Sequence, residues 1–234
     1  MPRLIAAILR HGDYHQRLHT PSAHQPYPLT DQGQAQATQA VRLIHSMLDE
    51  QACTFCPNID SSQLLRAWQT ANIIGQALAE LCADSIQLES FDALAERCVG
   101  SAANLSIDEI ETIVAADPRY PALPASWKSD SHFRLPLQGA ESLMDAGERA
   151  ARHIKARMEA LAGQADRDTL KLFVGHGAAF RHAAHHLGVL AFDEIAKLSM
   201  YHAQPVLLEY SAEGPWRHVG GDWKLRGNYS EYTD

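Results

Sequence analysis

Leu4-Ile5-Ala6-Ala7-Ile8-Leu9-Arg10-His11-Gly12 is the stretch on which the fold turns. Six consecutive apolar residues are too short a run for an ordinary helix, and they read as a strand over 3–9 buried on both faces. The pattern recurs late in the chain, where Leu170-Lys171-Leu172-Phe173-Val174 leads into Gly175-His176-Gly177. Two histidines that each end a buried strand can meet at one edge of a sheet, although most of the chain lies between them.

Outward from these strands, helices and strands alternate. A polar, proline-bearing loop over 13–28 precedes Thr30, a good N-cap, and a helix over 32–47. A short strand and turn fall at 58–62. A strongly helical segment follows over 64–81, with Leu64, Ala67, Ala71, Ile74 and Leu78 on one face. Residues 86–88 read as another short strand. From 93 to 138 the periodicity is irregular, with prolines at 118, 121, 124 and 136, and residues 97–138 are expected to form an inserted cap. Gly139-Ala140-Glu141-Ser142-Leu143 opens a helix reaching about 161, with Glu141-Ser142 read as a cap that orders the neighbouring loop. A strand at 170–174, a helix at 178–187 and strands near 205–210 and 216–219 complete the order, and the tail beyond Arg226 reads as loose. The expectation is one α/β domain over 1–234 with a mostly parallel sheet.

Composition narrows the function classes. With 234 residues, 46% of them hydrophobic, the chain can bury a full core. A formal charge of -8 argues against broad binding to nucleic acid, so any positive site must be local. No apolar stretch is long enough to span a bilayer, and Met1-Pro2-Arg3 runs straight into a short strand rather than a signal peptide. Four cysteines at this length do not suggest a disulfide framework, which makes a reducing cytoplasm the expected location.

A histidine at a strand end suits nucleophilic attack on phosphorus. One ring nitrogen must face the phosphorus while the other donates to a fixed acceptor. Gly12 would let backbone approach the imidazole and the phosphate closely. The charge of phosphoryl transfer sits on the equatorial oxygens, so placed cations do most of the work. Arg10 is adjacent, and Arg66, in Ser62-Gln63-Leu64-Leu65-Arg66-Ala67-Trp68-Gln69-Thr70-Ala71, is well placed at another strand-to-helix turn. A guanidinium pairs two phosphate oxygens at once.

These residues, with Leu29-Thr30-x-x-Gly33-x-x-Gln36-Ala37, Leu94-x-Glu96-Arg97-x-x-Gly100, Gly139-x-Glu141-Ser142-Leu143 and Gly175-His176-Gly177, occur in one order over about 3–220. In that order the chain resembles the histidine phosphatase superfamily, which includes the cofactor-dependent phosphoglycerate mutases and many phosphatases. The resemblance implies a three-layer α/β/α fold with its site at the carboxyl ends of the strands. It implies a covalent phosphohistidine on His11, a phosphate pocket of Arg10, Arg66 and His176, and Glu96 as proton donor. His176 would hold a phosphate oxygen as a protonated or donating ring. Glu96 would protonate the leaving oxygen and then, as carboxylate, activate water, which calls for a raised carboxyl pKa. Glu89, Asp92 and Glu141 are the alternative donors. No cofactor or metal is called for, because arginines supply the positive charge.

Within that resemblance the chain departs from the mutases, which carry Arg-His-Gly-x-Ser-x-x-Asn where this chain has Tyr14 and Arg17, and Gly-Asn where it has Gly177-Ala178. Thr20 to Pro28 replaces a segment bearing Gly-Trp. These losses favour a phosphatase acting on small phosphorylated substrates, with a mutase-type transferase and a noncatalytic phosphoryl-binding protein as the rival readings. Arg17 is assigned to substrate binding, and Tyr14 and Arg134 are further candidates. Trp127, Lys128, His132 and Phe133 could line the cap or merely pack it. Among 13 histidines, His182 and His186 share a helix face without further ligands, and Cys53-Thr54-Phe55-Cys56 is a lone CxxC; both read as structural.

Overall fold

The computed structural model describes residues 2–22, 24–79 and 85–226. Strand β1 (Leu4–Arg10) is buried along its whole length. Its side chains alternate between two layers, as a pleated strand requires. Leu4, Ala6 and Ile8 join a core with Ala150, Ile154 and Met158 of α4 (Leu143–Ala162) and Phe180 and Ala184 of α5 (Gly177–His186). Ile5, Ala7 and Leu9 face Ala40 and Ile44 of α1 (Asp31–Gln51) and Ala71, Ile74 and Leu78 of α2 (Leu65–Ala79). An all-apolar strand is what a sheet with helices on both faces demands. The architecture is therefore the expected three-layer α/β/α sandwich.

Strands β3 (Asn58–Ser62), β4 (Gln87–Phe91) and β5 (Thr169–Gly175) run parallel to β1, in the order β4-β3-β5-β1. The sheet continues through β7 (Pro205–Glu209), antiparallel to β1, and β8 (Arg217–Gly220). The register Leu4↔Thr169 to Arg10↔Gly175 places the ends of β1 and β5 side by side, and the His11 amide donates to the Gly175 carbonyl at 3.0 Å. Two residues distant in sequence thus become neighbours through a strand pairing alone.

The helices begin where the caps predict. The Thr30 side chain accepts from the Gly33 amide, and Ser142 forms a capping box with Asp145. The end of the second helix, expected at 81, lies outside the described residues, as does the tail beyond 226. The lone CxxC proves to be strand: β2 (Thr54–Phe55) lies between its two thiols and pairs with β5.

Within the stretch read as irregular, α3 (Ile107–Ala116) is a regular helix, opened by a Ser106 and Glu109 capping box. The pattern Ser-x-x-Glu before Ile110 and Val114 was a legible signal for it. Val99, Ala102, Ile110, Trp127, Leu135 and Ala140 form a separate small core here, with Trp127 Nε1 donating to Glu111 at 3.0 Å. Trp127 is therefore packing. A short helix α6 (Phe192–Ile195) and a two-stranded sheet of β6 (Leu198–Met200) and β9 (Trp223–Leu225) lie beyond α5.

Candidate active site

His11, His176, Arg10 and Arg66 converge at the carboxyl ends of β1, β3 and β5, and all four are almost fully buried. The two imidazole centroids are 5.0 Å apart. Arg66 joins them: its Nε–H donates to His11 Nε2 at 3.1 Å, and its Nη2 donates to His176 Nδ1 at 3.3 Å. The Gln25 carbonyl accepts from Arg66 Nη1 at 2.9 Å, and the Tyr14 ring lies under the guanidinium, 4.4 Å from centroid to carbon. Arg10 donates to the Met200 carbonyl at 3.2 Å. Its side chain lies flat on Gly177, where a Cβ would stand 3.2 Å from Arg10 Cδ.

The hydrogen bonds determine both tautomers. His11 Nδ1 lies 2.7 Å from the Gly12 carbonyl and must donate to it, so Nε2 carries the lone pair. Burial, then Arg66, His176, Arg10 and His202, push the His11 pKa well below its usual value, and the ring is neutral. His176 accepts at Nδ1, so its Nε2–H donates to Ser62 Oγ at 2.9 Å. Burial and then Arg66 depress its pKa likewise. This differs from the protonated or donating ring expected at the phosphate pocket. His176 turns an acceptor toward the cluster, because Arg66 is the stronger donor.

Glu96 sits at the mouth of the same turn. Its carboxyl oxygens accept from the amides of Arg97 at 2.9 Å, Ala179 at 3.1 Å and Ala178 at 3.3 Å, the last two in the first turn of α5. The alternative donors are committed elsewhere: Glu89 to Arg157 at 3.1 Å, and Glu141 to both ends of the Arg149 guanidinium. Asp92 contributes its backbone carbonyl to Arg149.

Arg17 is not in the cluster. Its loop carries it to the surface, where its Nη1 donates to the Asn104 carbonyl at 2.9 Å and ties the loop to the segment before α3. Arg134 is likewise exposed and paired with Asp145 at 2.7 Å. The Gly12 backbone approaches the imidazole, its carbonyl 2.7 Å from His11 Nδ1, and the glycine has a second role as well. A Cβ there would lie 2.5 Å from the Gly33 carbonyl oxygen, and one on Gly33 would lie 1.9 Å from the Asp13 oxygen. The two glycines let the His11 turn press on the start of α1.

Several contributors carry no local signature in the sequence. Thr70 accepts from the Gly12 amide at 3.0 Å and donates to the Arg66 carbonyl at 2.8 Å, locking the His11 turn to α2; its spacing of one turn from Arg66 is the one available clue. His202 Nδ1 donates to the His11 carbonyl at 2.8 Å, and Gln25 is fully buried beneath Arg66. The helix-face pair is otherwise engaged. His182 is bound at Nδ1 to the Ala178 carbonyl and at Nε2 to Ser131, and burial lowers its pKa to about 3. His186 faces the Met144 carbonyl. Among the described residues no cluster of three or more His, Cys, Asp or Glu could hold a metal ion, and no helix is long and apolar enough to cross a membrane.

Solved structures share this fold. The chain aligns to a structure titled mycobacterial hydrolase 2 with a TM-score of 0.69 and 21% identity, over 97% of this chain and 94% of that one. A mycobacterial glucosyl-3-phosphoglycerate phosphatase, also solved with VO3 and with inorganic phosphate, gives 0.66 and 22% over 97% and 99%. The α-ribazole phosphatase of Shigella flexneri gives 0.65 and 16% over 95% and 94%. Among curated proteins none matches the sequence. A family profile described as histidine phosphatase superfamily (branch 1) matches residues 6–220, so that His11, His176, Arg10 and Arg66 all fall inside it, and the chain belongs to that superfamily.

Proposed function

We propose that the protein is a phosphatase that hydrolyses small phosphate monoesters through a covalent phosphohistidine on His11. The observation that carries this reading is a neutral, buried imidazole whose Nε2 lone pair lies among Arg10, Arg66 and His176. Substrate phosphate takes over the Arg66 Nε–H now spent on Nε2, which releases the lone pair as it binds the oxygens. Nε2 then bonds to phosphorus while the ester P–O bond breaks. Glu96, protonated in the substrate complex, passes its proton to the departing alcohol oxygen. As carboxylate it next takes a proton from the water that attacks phosphohistidine, returning phosphate and neutral His11. Arg10 and Arg66 hold the equatorial charge throughout.

Residues 97–138 act in this reading as a cap on a single catalytic domain, and Arg17 positions the cap rather than the phosphate. Unpaired thiols at Cys53, Cys56 and Cys98 are compatible with work in the cytoplasm. Quenching a reaction with labelled substrate in base should trap an acid-labile phosphoprotein that His11→Ala lacks. Undiminished hydrolysis by His11→Ala would overturn the assignment. A mutase-type reading draws on the Leu94-Ala95-Glu96-Arg97 match; isomer formation without net phosphate release would favour it.

A further inference from the structure

Arg66 is fully buried, and the hydrogen bonds of its guanidinium leave from the edge. Nε–H and Nη2 point to the two imidazoles, Nη1 donates to the Gln25 carbonyl at 2.9 Å, and the Ser22 carbonyl lies 3.5 Å from Nη2. Burial pulls the Arg66 pKa below its ordinary 12.5, the mark of a cation taken out of water. A carboxylate could offset that cost, but it would do so by consuming N–H groups. The face of an aromatic ring attracts the cation and consumes none. Tyr14 supplies that face, with its centroid 4.4 Å from the guanidinium carbon.

The Tyr14 side chain is itself held firmly. It is 4% exposed, its backbone pairs with Leu29 in an antiparallel bridge, and its hydroxyl lies 2.9 Å from Ser22 Oγ. Burial pushes the phenol pKa up, so the ring is neutral and Arg66 meets a π face rather than a phenolate. The same ring stands edge-on to the His11 imidazole, with centroids 5.2 Å apart at 88°. On the guanidinium edge, Gln25 fixes its own carbonyl: its Oε1 accepts from the Arg17 amide at 2.9 Å, and its Nε2 donates to the Pro21 carbonyl at 2.9 Å.

Phosphate binding requires a guanidinium that keeps its place while its partners change. The edge bonds to the imidazoles are given up in that exchange, whereas the contact with the ring face is not. We propose that Tyr14 is a positioning residue for phosphate capture, whose π face offsets the burial of the Arg66 charge and holds the guanidinium still while its N–H groups pass from the imidazoles to phosphate oxygens. Phosphate as the incoming anion is taken from the phosphatase reading, on which this proposal rests.

A graded series at position 14 tests it: Tyr14→Phe, then mono-, di- and trifluorinated phenylalanine at the same position, and Tyr14→Leu. Fluorine drains the π face and leaves the ring nearly unchanged in shape, so a packing role alone predicts no trend along the series. Two readouts are taken on the full chain: Kd for inorganic phosphate by phosphorus NMR titration, and the Arg66 Nε–H signal in the unliganded protein, identified by its loss in Arg66→Lys. Phosphate affinity should weaken stepwise with fluorination, about tenfold from phenylalanine to the trifluorinated ring, and at least as much in Tyr14→Leu. The Nε–H signal should shift in the same order. A signal that stays in place along the series would overturn the proposal, as would phosphate binding whose Kd stays within twofold across it. A wild type that does not bind phosphate, with the signal still tracking fluorination, would reject the phosphatase reading and leave the hold of Tyr14 on Arg66 standing.

Discussion

Asp60 offers a demanding test of how the sheet beneath the site is held. Its side chain is fully buried and accepts from Lys171 Nζ at 2.7 Å, His153 Nε2 at 2.8 Å and Arg157 Nε at 2.8 Å. Lys171 is itself 4% exposed and has one other acceptor, the Asn58 carbonyl at 2.7 Å. Asp60→Asn keeps the volume and removes the charge. Arg157 retains Glu89, but the Lys171 ammonium is stranded in the sheet. Breaking a buried pair this way costs about 3–5 kcal/mol. A chain of this size loses about 2–4 °C of Tm per kcal/mol, so Tm should fall by about 6–20 °C. The double variant Asp60→Leu/Lys171→Met should recover most of the loss, since an apolar pair of similar volume leaves no buried charge. The sign with pH is definite. Burial pushes the Asp60 carboxyl up, but His153, Lys171 and Arg157 outweigh it and hold the group below its ordinary 3.8. Its contribution is full above pH 3.8 and is lost as pH falls through the lower folded value, so wild type and Asp60→Asn should converge there. Thermal melts by circular dichroism measure both effects. A Tm drop under 2 °C, or a double variant no better than the single, would refute the reasoning.

Below pH 6.5 the folded protein binds fewer protons than the unfolded chain at His11, His176 and His182. Their contribution is full above pH 6.5 and declines by about 1.4 kcal/mol per pH unit per histidine on acidification, so denaturant midpoints should drop steadily from pH 6.5 to 5. A flat profile over that range would contradict neutral buried rings. Gly12→Ala sets a Cβ 2.5 Å from the Gly33 carbonyl, so it should cost about 1–3 kcal/mol in urea melts and lower kcat about 100-fold by displacing His11. Ser62→Ala removes the acceptor of His176 Nε2–H and should lower kcat/KM about tenfold, with a stability loss of about 1–3 kcal/mol. Vanadate, a pentavalent mimic, should inhibit below millimolar concentration, and exhaustive chelation should leave phosphatase rates unchanged.

Much of the fold was legible because it is encoded in local pattern. The all-apolar 4–9 run, the Thr30 and Ser142 caps and the 3.6-residue period of the Arg66 helix each reflect interactions within a few residues. The helix at Ile107–Ala116 was equally local, but prolines after it masked a Ser106-x-x-Glu109 signal that was present. His11, Arg10, Arg66 and His176 could be nominated for the same reason: each lies at a strand end or a strand-to-helix turn, where chemistry is commonly mounted. The sequence by itself thus determined the layers, the order of the elements and the residue types offered to a site.

Tertiary structure decided which of those offers meet. The β1–β5 register, summed over seven paired residues, places His11 beside His176. Arg17 turns away because a loop's path depends on distant acceptors such as Asn104, which no local period records. The state of each histidine and the need for glycine at 12 and 33 are properties of packing. They arise where several segments close on one volume and exclude water, a condition that residues acquire together and that none carries alone.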